Sequence, residues 1–379
     1  MHITAVTPYV QSDKNCLVII ETDEGIEGIG QGGITQRGPA IAATIEAMQD
    51  DLLGEDPQRI EHLWQTVFRG AFFPGGVVQA AAVSAIDIAL WDLKAKSLDV
   101  PLYELLGGRT RDHVRCYPHV GGADIDALIE DCQAKVDEGW EFVRWGIADP
   151  ADGDVFEPHR AARYGIDQVR AVREAFGPEL NICVDLHTRM TPATAIQFCR
   201  GVEPYEPFFV EDPIRSEDPN KLRQIREATT VPLAIGEQYD SKWAFRQVIE
   251  DDLLDYCRLD VTNVGGITES KKIAGWCETH YVPLTPHNPG SLGAVATAAS
   301  LHLSLSSPDV EVLELSRPPM TVQAELFPTQ VPYSNGRLYP PEDPGLGIKV
   351  DRDMLDAVAD PAIPDAVGYV REDGAYTNW

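Results

Sequence analysis

Along the chain, a short stretch of alternating apolar and polar positions gives way to helical spacing, and then to a regular exchange between the two. The first segment, ITAVTPYV followed by CLVIIETDEGIEGIGQGG, carries β-branched residues around an Asp-Glu-Gly turn at 23–25, which predicts a small antiparallel meander. From about Gly38 to Ser97 the apolar positions recur with helical spacing, broken at Glu55-Asp56-Pro57 and at Phe72-Phe73-Pro74-Gly75-Gly76. The stretch VVQAAAVSAIDIALWDLKAKSL (77–98) is Ala-rich and largely apolar, so it predicts a buried helix rather than a surface one. Gly107-Gly108 ends this block.

From about Val114 short apolar runs are each followed by a helical stretch. The runs are VRCYPHV, EFVRWGI, NICVDLH, FFVEDPI, PLAIGEQ, YCRLDVT, VPLTPHN and EVLELS. Eight strand-plus-helix units in series predict a (β/α)8-type barrel, because each parallel strand needs a crossover before the next. After Arg317 the chain turns Pro-rich and loses periodicity, and this tail is expected to pack back on the amino-terminal segment. The fold class is therefore α/β, with an α+β capping domain beside the barrel. The division is 1–112 for the cap, 113–317 for the barrel and 318–379 for the segment that completes the cap.

Composition narrows the function. With 60 acidic against 31 basic residues the net charge is −29, which disfavours nucleic acid and anionic membrane surfaces as partners. Only 9 of the cations are Lys and the acids are spread along the whole chain, a halophile-like solvated surface. The seven Cys are scattered with no C-x-x-C pair, and no apolar run approaches the ~18 residues of a membrane span. A reducing cytoplasm and a small-molecule partner fit this pattern.

The chemistry gathers at strand ends. Asp185, Glu211, Glu237, Asp260, His287 and Glu314 close successive runs, spaced by 26, 26, 23, 27 and 27 residues, one βα unit each. The carboxyl ends of barrel strands form the active-site face, so these side chains converge there. Asp185, Glu211 and Glu237 would repel one another in a partly buried mouth unless a cation compensates, and hard oxygen ligands favour Mg2+, with Mn2+ as a substitute. His187, two residues past Asp185, is expected on the same side, and His287 arrives from the opposite wall. A metal flanked by two imidazoles suits proton abstraction α to a carboxylate, with Asp260 raising the basicity of His287. His119, ending the first run, lines the mouth or is a spectator. Gly265-Gly266 reads as a βα turn, since no P-loop Lys-Ser/Thr pair accompanies it.

SAIDIALWDLKAKSLDVPLYELLGG, VDLHTR, FFVEDPI, AIGEQ, LDVTNVGGITE, TPHNPGS and DPGLGI follow one another in an order that resembles the enolase superfamily, in its mandelate racemase-like branch. The resemblance implies a cap closing over the substrate, and Mg2+ ligands at Asp185, Glu211 and Glu237. Racemases and cycloisomerases of that branch carry a K-x-K base on the second strand. Here FVRWG places Arg144 and Gly146 there, with no Lys. The D-x-H motif with a seventh-strand His is similar to the acid-sugar dehydratases, galactonate dehydratase especially, and HTRMTP resembles the mannonate and gluconate group. On that resemblance His287 takes the C2 proton of an aldonate, His187 protonates the departing C3 hydroxyl, and Glu314 hydrogen-bonds the substrate carboxylate. Arg144, His119, Thr35 and Phe73 would contact substrate. Thr188 departs from the Gly usual after the His in galactonate dehydratases. A homo-oligomer is implied as well. The alternatives are an epimerase or racemase of a hydroxy acid, or a weakly catalytic paralogue that binds a sugar acid.

Overall fold

The computed structural model describes residues 1–10, 15–73, 75–151, 153–290, 292–355 and 368–378. β1 (Ile3–Val10), β2 (Asn15–Thr22) and β3 (Glu27–Gly33) form the antiparallel meander. Behind it lie α1 (Gly38–Met48), α2 (Ile60–Arg69), α3 (Val77–Ser97) and the short α4 (Leu102–Leu105). The alternate glycines of β3 explain how sheet and helix meet. A Cβ on Gly28, Gly30 or Gly32 would stand 2.0, 1.8 or 2.4 Å from the carbonyl oxygens of Ala89, Ala85 and Ala81. Strand alternation puts the three glycines on one face, and i, i+4 spacing puts the three alanines on one face of α3, so the two backbones touch. Gly30→Ala is expected to destabilise the protein by about 3 kcal/mol, seen as a lower urea midpoint, because neither backbone can retreat. An unchanged midpoint would mean that strand and helix stand further apart.

Eight parallel segments make the barrel: β4 (Val114–Tyr117), β5 (Phe142–Gly146), β6 (Asn181–Asp185), β7 (Phe209–Glu211), β8 (Leu233–Ile235), β9 (Tyr256–Cys257), the extended chain at Leu284, and β10 (Leu313–Glu314). β5 to β9 pair in order, and β10 pairs parallel with β4. Bridges His119–Arg144, Cys257–Leu284 and Leu284–Val310 complete the ring. The crossovers are α5 (Ile125–Asp137), α6 (Pro158–Phe176), α7 (Pro192–Val202), α8 (Leu222–Arg226), α9 (Lys242–Glu250), α10 (Gly266–Thr279) and α11 (Ala294–Leu305). These are seven helices among the described residues, not the eight expected. The last strand already lies against the first, so no further crossover is required.

The tail divides among three places. β11 (Tyr333–Ser334) and β12 (Arg337–Leu338) form a hairpin, and β12 pairs antiparallel with β4 of the barrel. Residues 345–352 return to the cap: Leu346 N–H donates to Asp92 at 2.8 Å, and Arg352 pairs with Glu21 and Glu27. A second hairpin, β13 (Tyr369–Val370) and β14 (Tyr376–Asn378), sits on the β5–α6 loop through a Val155–Val370 bridge. Residues 356–367 of the expected tail lie outside the described ones.

Strand alternation sorts the barrel residues. Val143, Trp145, Ile182, Val184, Val210, Leu259 and Leu313 face the helices in the main core. Tyr117, Phe142, Cys183, Phe209, Ala234 and Val312 form a separate apolar floor inside the barrel. Two residues further along each strand, the same inward row reaches His119, Arg144, Asp185, Glu211 and Glu314. All seven cysteines are buried and unbridged, and no described helix is long and apolar enough to cross a membrane.

His302 in α11 is fully buried and accepts the Tyr103 N–H on Nδ1 at 3.0 Å. Burial pulls it down to about 4, so it folds neutral. Between pH 6.5 and 4 only the unfolded chain takes up this proton. The contribution is therefore intact above about pH 6.5 and falls by about 3 kcal/mol as pH drops toward 4. Denaturant titrations across that range should show the slope, and His302→Gln should flatten it.

Candidate active site

The inward row ends in a cluster of buried charges. Asp185 and Glu211 are direct register partners at the ends of β6 and β7. Arg144, from β5, spans both: its Nη2 donates to Asp185 Oδ2 at 2.5 Å and its Nε to Glu211 Oε1 at 2.7 Å. Arg258, just past β9, has no solvent exposure. Its Nη2 lies 2.8 Å from Glu211 Oε2 and 3.1 Å from both Glu237 Oε2 and Glu314 Oε2, while its Nη1 donates to the Tyr117 hydroxyl.

Glu237 should face outward by parity with Ala234. It reaches the cluster because Gly236, at φ +148°, resets the alternation after β8. A side chain there would also meet Phe245 at 2.8 Å and the Arg258 backbone at 3.0 Å, which is why glycine occupies the position. His187 likewise does not arrive by continued alternation. β6 stops at Asp185, whose Oδ1 accepts the His187 N–H at 2.5 Å, and the chain turns through two left-handed residues, His187 (φ 48°) and Thr188 (φ 60°). Asp212, after Glu211, is also left-handed at φ 36°. Three such non-glycine residues on adjacent strand ends mark strain concentrated at the mouth.

Glu211, Asp212 and Glu237 place carboxylate oxygens within 4.8 Å of one another. Glu211 Oε2 and Asp212 Oδ2 are buried without a hydrogen bond, the Arg258 nitrogens nearby at 2.8 and 3.6 Å notwithstanding. Burial, opposed by Arg144 and Arg258, lifts Glu211 to about 7, and burial next to Glu237 raises Asp212 strongly. A set of hard oxygen donors that cannot comfortably hold its charge fits a divalent cation.

On the opposite wall His287 Nδ1 lies 2.7 Å from Asp260 Oδ2, which turns Nε2 inward to 3.4 Å from Glu237 Oε2. Burial would lower the imidazole, but Glu237, Glu314 and Asp260 outweigh it and raise His287 to about 9. Asp260 is fixed in turn by Thr262 N–H at 2.7 Å and its hydroxyl at 2.6 Å. Glu314 Oε1 pairs with His119 Nε2 at 2.6 Å, and its Oε2 accepts from Asn288 N–H at 3.1 Å. Burial pushes Glu314 up, but Arg258, His287 and His119 together hold it well below the usual carboxylate range. His119 and His187 are both lowered, chiefly by burial.

The cap reaches the same face. Gly33 N–H donates to Thr262 O at 3.4 Å, and the Gln31 side-chain amide donates to Leu292 O. Phe68, Arg69, Ala71, Phe72, Gly75 and Gly76 face Asp240, Ser241 and Trp243 across a cavity of about 510 Å3. Phe72 lines that cavity. Thr35 and Phe73 are exposed, Phe73 to 78%, and the structure does not bring them into the charged cluster. Pro74, in the same Phe72–Gly76 break of the helical spacing, lies outside the described residues.

Residues 2–107 match the mandelate racemase / muconate lactonizing enzyme N-terminal domain, and residues 127–354 match the enolase C-terminal domain-like family. The chain belongs to the enolase superfamily, in its mandelate racemase-like branch. It is 34% identical to a D-galactonate dehydratase family member of Streptomyces bingchenggensis over all of this chain and 98% of that one. It is 36% identical to the D-galactonate dehydratase of Ralstonia nicotianae, with 94% of each covered. The crystal structure of a Pantoea ananatis enolase with bound D-gluconate and Mg superposes with a TM-score of 0.93 at 31% identity, covering 100% of both chains.

In this superfamily member the sequence reading missed three residues. Arg258 was legible: it stands two before Asp260, the same alternation used for other pairs. Tyr117 stands two before His119 in the same way. Asp212 carried no signal, because alternation turns it away from the mouth and only its left-handed backbone brings it back.

Proposed function

We propose that this protein removes water from an aldonate of the galactonate or gluconate class, giving a 2-keto-3-deoxy acid. The observation that carries the reading is the Asp260–His287 pair, which aims Nε2 at the carboxylate cluster across the mouth from His187. In this reading residues 1–112, with part of 318–379, serve as the cap.

Asp185, Glu211 and Glu237 would hold Mg2+, with Asp212 as the competing ligand to Asp185. When bound there, the cation would stabilise charge developing on the substrate carboxylate and offset the carboxylate field that raises His287. His287 takes the C2 proton on Nε2, and the C2–H electrons move into the substrate carboxylate as an enediolate. Those electrons return to form the C2–C3 double bond as the C3–O bond breaks, and His187, which burial favours as the neutral ring and which must carry its second proton at this step, gives that proton to the hydroxyl, which leaves as water. The resulting enol then takes up a proton at C3 to become the keto acid. Asp260 keeps Nδ1 protonated, so Nε2 remains the acceptor. Glu314, held ionised, accepts rather than donates hydrogen bonds. Its part is to fix His119 at the mouth and to hold Arg258 beneath the carboxylates. Arg144, where the branch's racemases carry a lysine base, cannot act as one, because a guanidinium keeps its proton.

The test is a screen of the purified protein with Mg2+ against a stereochemically complete set of C5 and C6 aldonates, detecting 2-keto acids by semicarbazide. Turnover of one or two, abolished by EDTA, is expected. Exchange of the C2 proton for solvent deuterium with no loss of water would favour epimerisation. Neither reaction on any aldonate would overturn the proposal.

A further inference from the structure

We infer that Tyr369, in the β13–β14 hairpin, is a positioning residue that holds His187 in place through Arg189. The inference rests on the role proposed for His187, although one arm of its test does not depend on activity.

His187 and Thr188 both occupy left-handed backbone without being glycine, a conformation that persists only where the surroundings over-determine it. From inside the barrel the turn is held by Asp185 Oδ1, which accepts His187 N–H, and by Asp212 O, which accepts Thr188 N–H at 2.7 Å. From outside it is held at Arg189, whose N–H closes the turn onto Leu186 O at 3.0 Å and whose backbone bridges Ile214. The Arg189 guanidinium lies over the Tyr369 ring at 4.7 Å and the Phe156 ring at 5.8 Å, and those two rings pack at 5.5 Å.

The hairpin that supplies Tyr369 is itself clamped. Phe156 N–H donates to Val370 O and Val370 N–H to Asp154 O, each at 2.9 Å. Arg371 Nη1 donates to Glu157 at 2.7 Å, and Glu372 N–H donates to the same carboxylate at 3.1 Å. Ring, guanidinium and turn thus form one chain of contacts from the far end of the sequence to His187. Between the hairpin and residues 188–192 lies a cavity of about 360 Å3, so removal of the ring would leave Arg189 room to move. Displacement of the turn shifts the imidazole that protonates the leaving hydroxyl, while the Asp260–His287 pair, on the opposite wall, is untouched.

The experiment compares wild type, Tyr369→Leu and Tyr369→Phe in the full chain with Mg2+. Two rates are read on the aldonate that wild type dehydrates: keto-acid formation, and exchange of the C2 proton with deuterium. Tyr369→Leu is expected to slow dehydration by about 10- to 100-fold, as small misplacements of a catalytic group do. Exchange should stay within about twofold of wild type, and Tyr369→Phe, which keeps the ring, should restore dehydration. Equal loss of both rates, or no loss of either, would overturn the inference. Independently of turnover, the His187 ring resonances in a histidine-selective 15N spectrum, assigned with His187→Asn, should move in Tyr369→Leu and return in Tyr369→Phe. Resonances unmoved in Tyr369→Leu would also overturn it. A wild type that turns over no aldonate would sink the proposed function alone, and the spectra would still decide the role of Tyr369.

Discussion

His287→Asn is expected to lower kcat for aldonate dehydration by ~10³- to 10⁴-fold, the upper range for loss of a positioned general base. The loss should extend to exchange of the C2 proton with deuterium, because the base acts before the C3–O bond breaks. His187→Asn should behave differently, keeping exchange while losing dehydration. NMR of the reaction in deuterium oxide reads both at once. The melting temperature of His287→Asn is expected to fall as well, because Asp260, Glu237 and Glu314 lose the imidazolium that faces them, so both rates are read below the variant's transition. If His287→Asn still exchanged the proton at the wild-type rate, the base would have to be sought elsewhere in the mouth.

Glu211→Gln is expected to weaken Mg2+ binding by more than ~100-fold, beyond what loss of an outer-shell partner costs, and to abolish turnover with it. Glu211 has no solvent exposure and stands between the two guanidiniums, at 2.7 Å from Arg144 Nε and 2.8 Å from Arg258 Nη2. A neutral amide there removes one ligand charge and leaves two buried cations with less compensation. Calorimetric titration of the metal measures the affinity directly, without substrate. Asp185→Asn and Asp212→Asn in the same titration separate the two candidates for the third ligand: the larger loss names it. Binding of Mg2+ to Glu211→Gln at wild-type strength would place the cation away from this cluster.

Much of this arrangement was legible in the residues alone. The exchange of apolar runs with helical stretches required a parallel barrel, and a spacing of one βα unit brought Asp185, Glu211, Asp260, His287 and Glu314 to one face. Alternation within a strand is a property of any extended chain, so it also sorts Cys183 from Val184 and Phe209 from Val210 without reference to the rest of the molecule. The glycines of EGIGQGG and the alanines of α3 carried the cap's packing in the same local way.

The exceptions share a cause. Glu237, His187 and Asp212 enter the mouth where alternation has stopped, through backbone turns at Gly236, at His187–Thr188 and at Asp212 itself. Such turns are held by contacts from distant parts of the chain: Phe245 and the Arg258 backbone against Gly236, the Asp212 carbonyl beneath Thr188, and the Tyr369 ring over Arg189. The division of the tail among barrel, cap and β5–α6 loop is equally non-local, since its segments pair with whatever edge the closed fold leaves open. The sequence by itself therefore determined the barrel, its inward row and the carboxylates at its strand ends, all of which follow from repeats of two and of one βα unit. Only the tertiary structure decided which side chains leave that row and what pins the His187 turn, because those depend on residues far apart in the chain meeting in space.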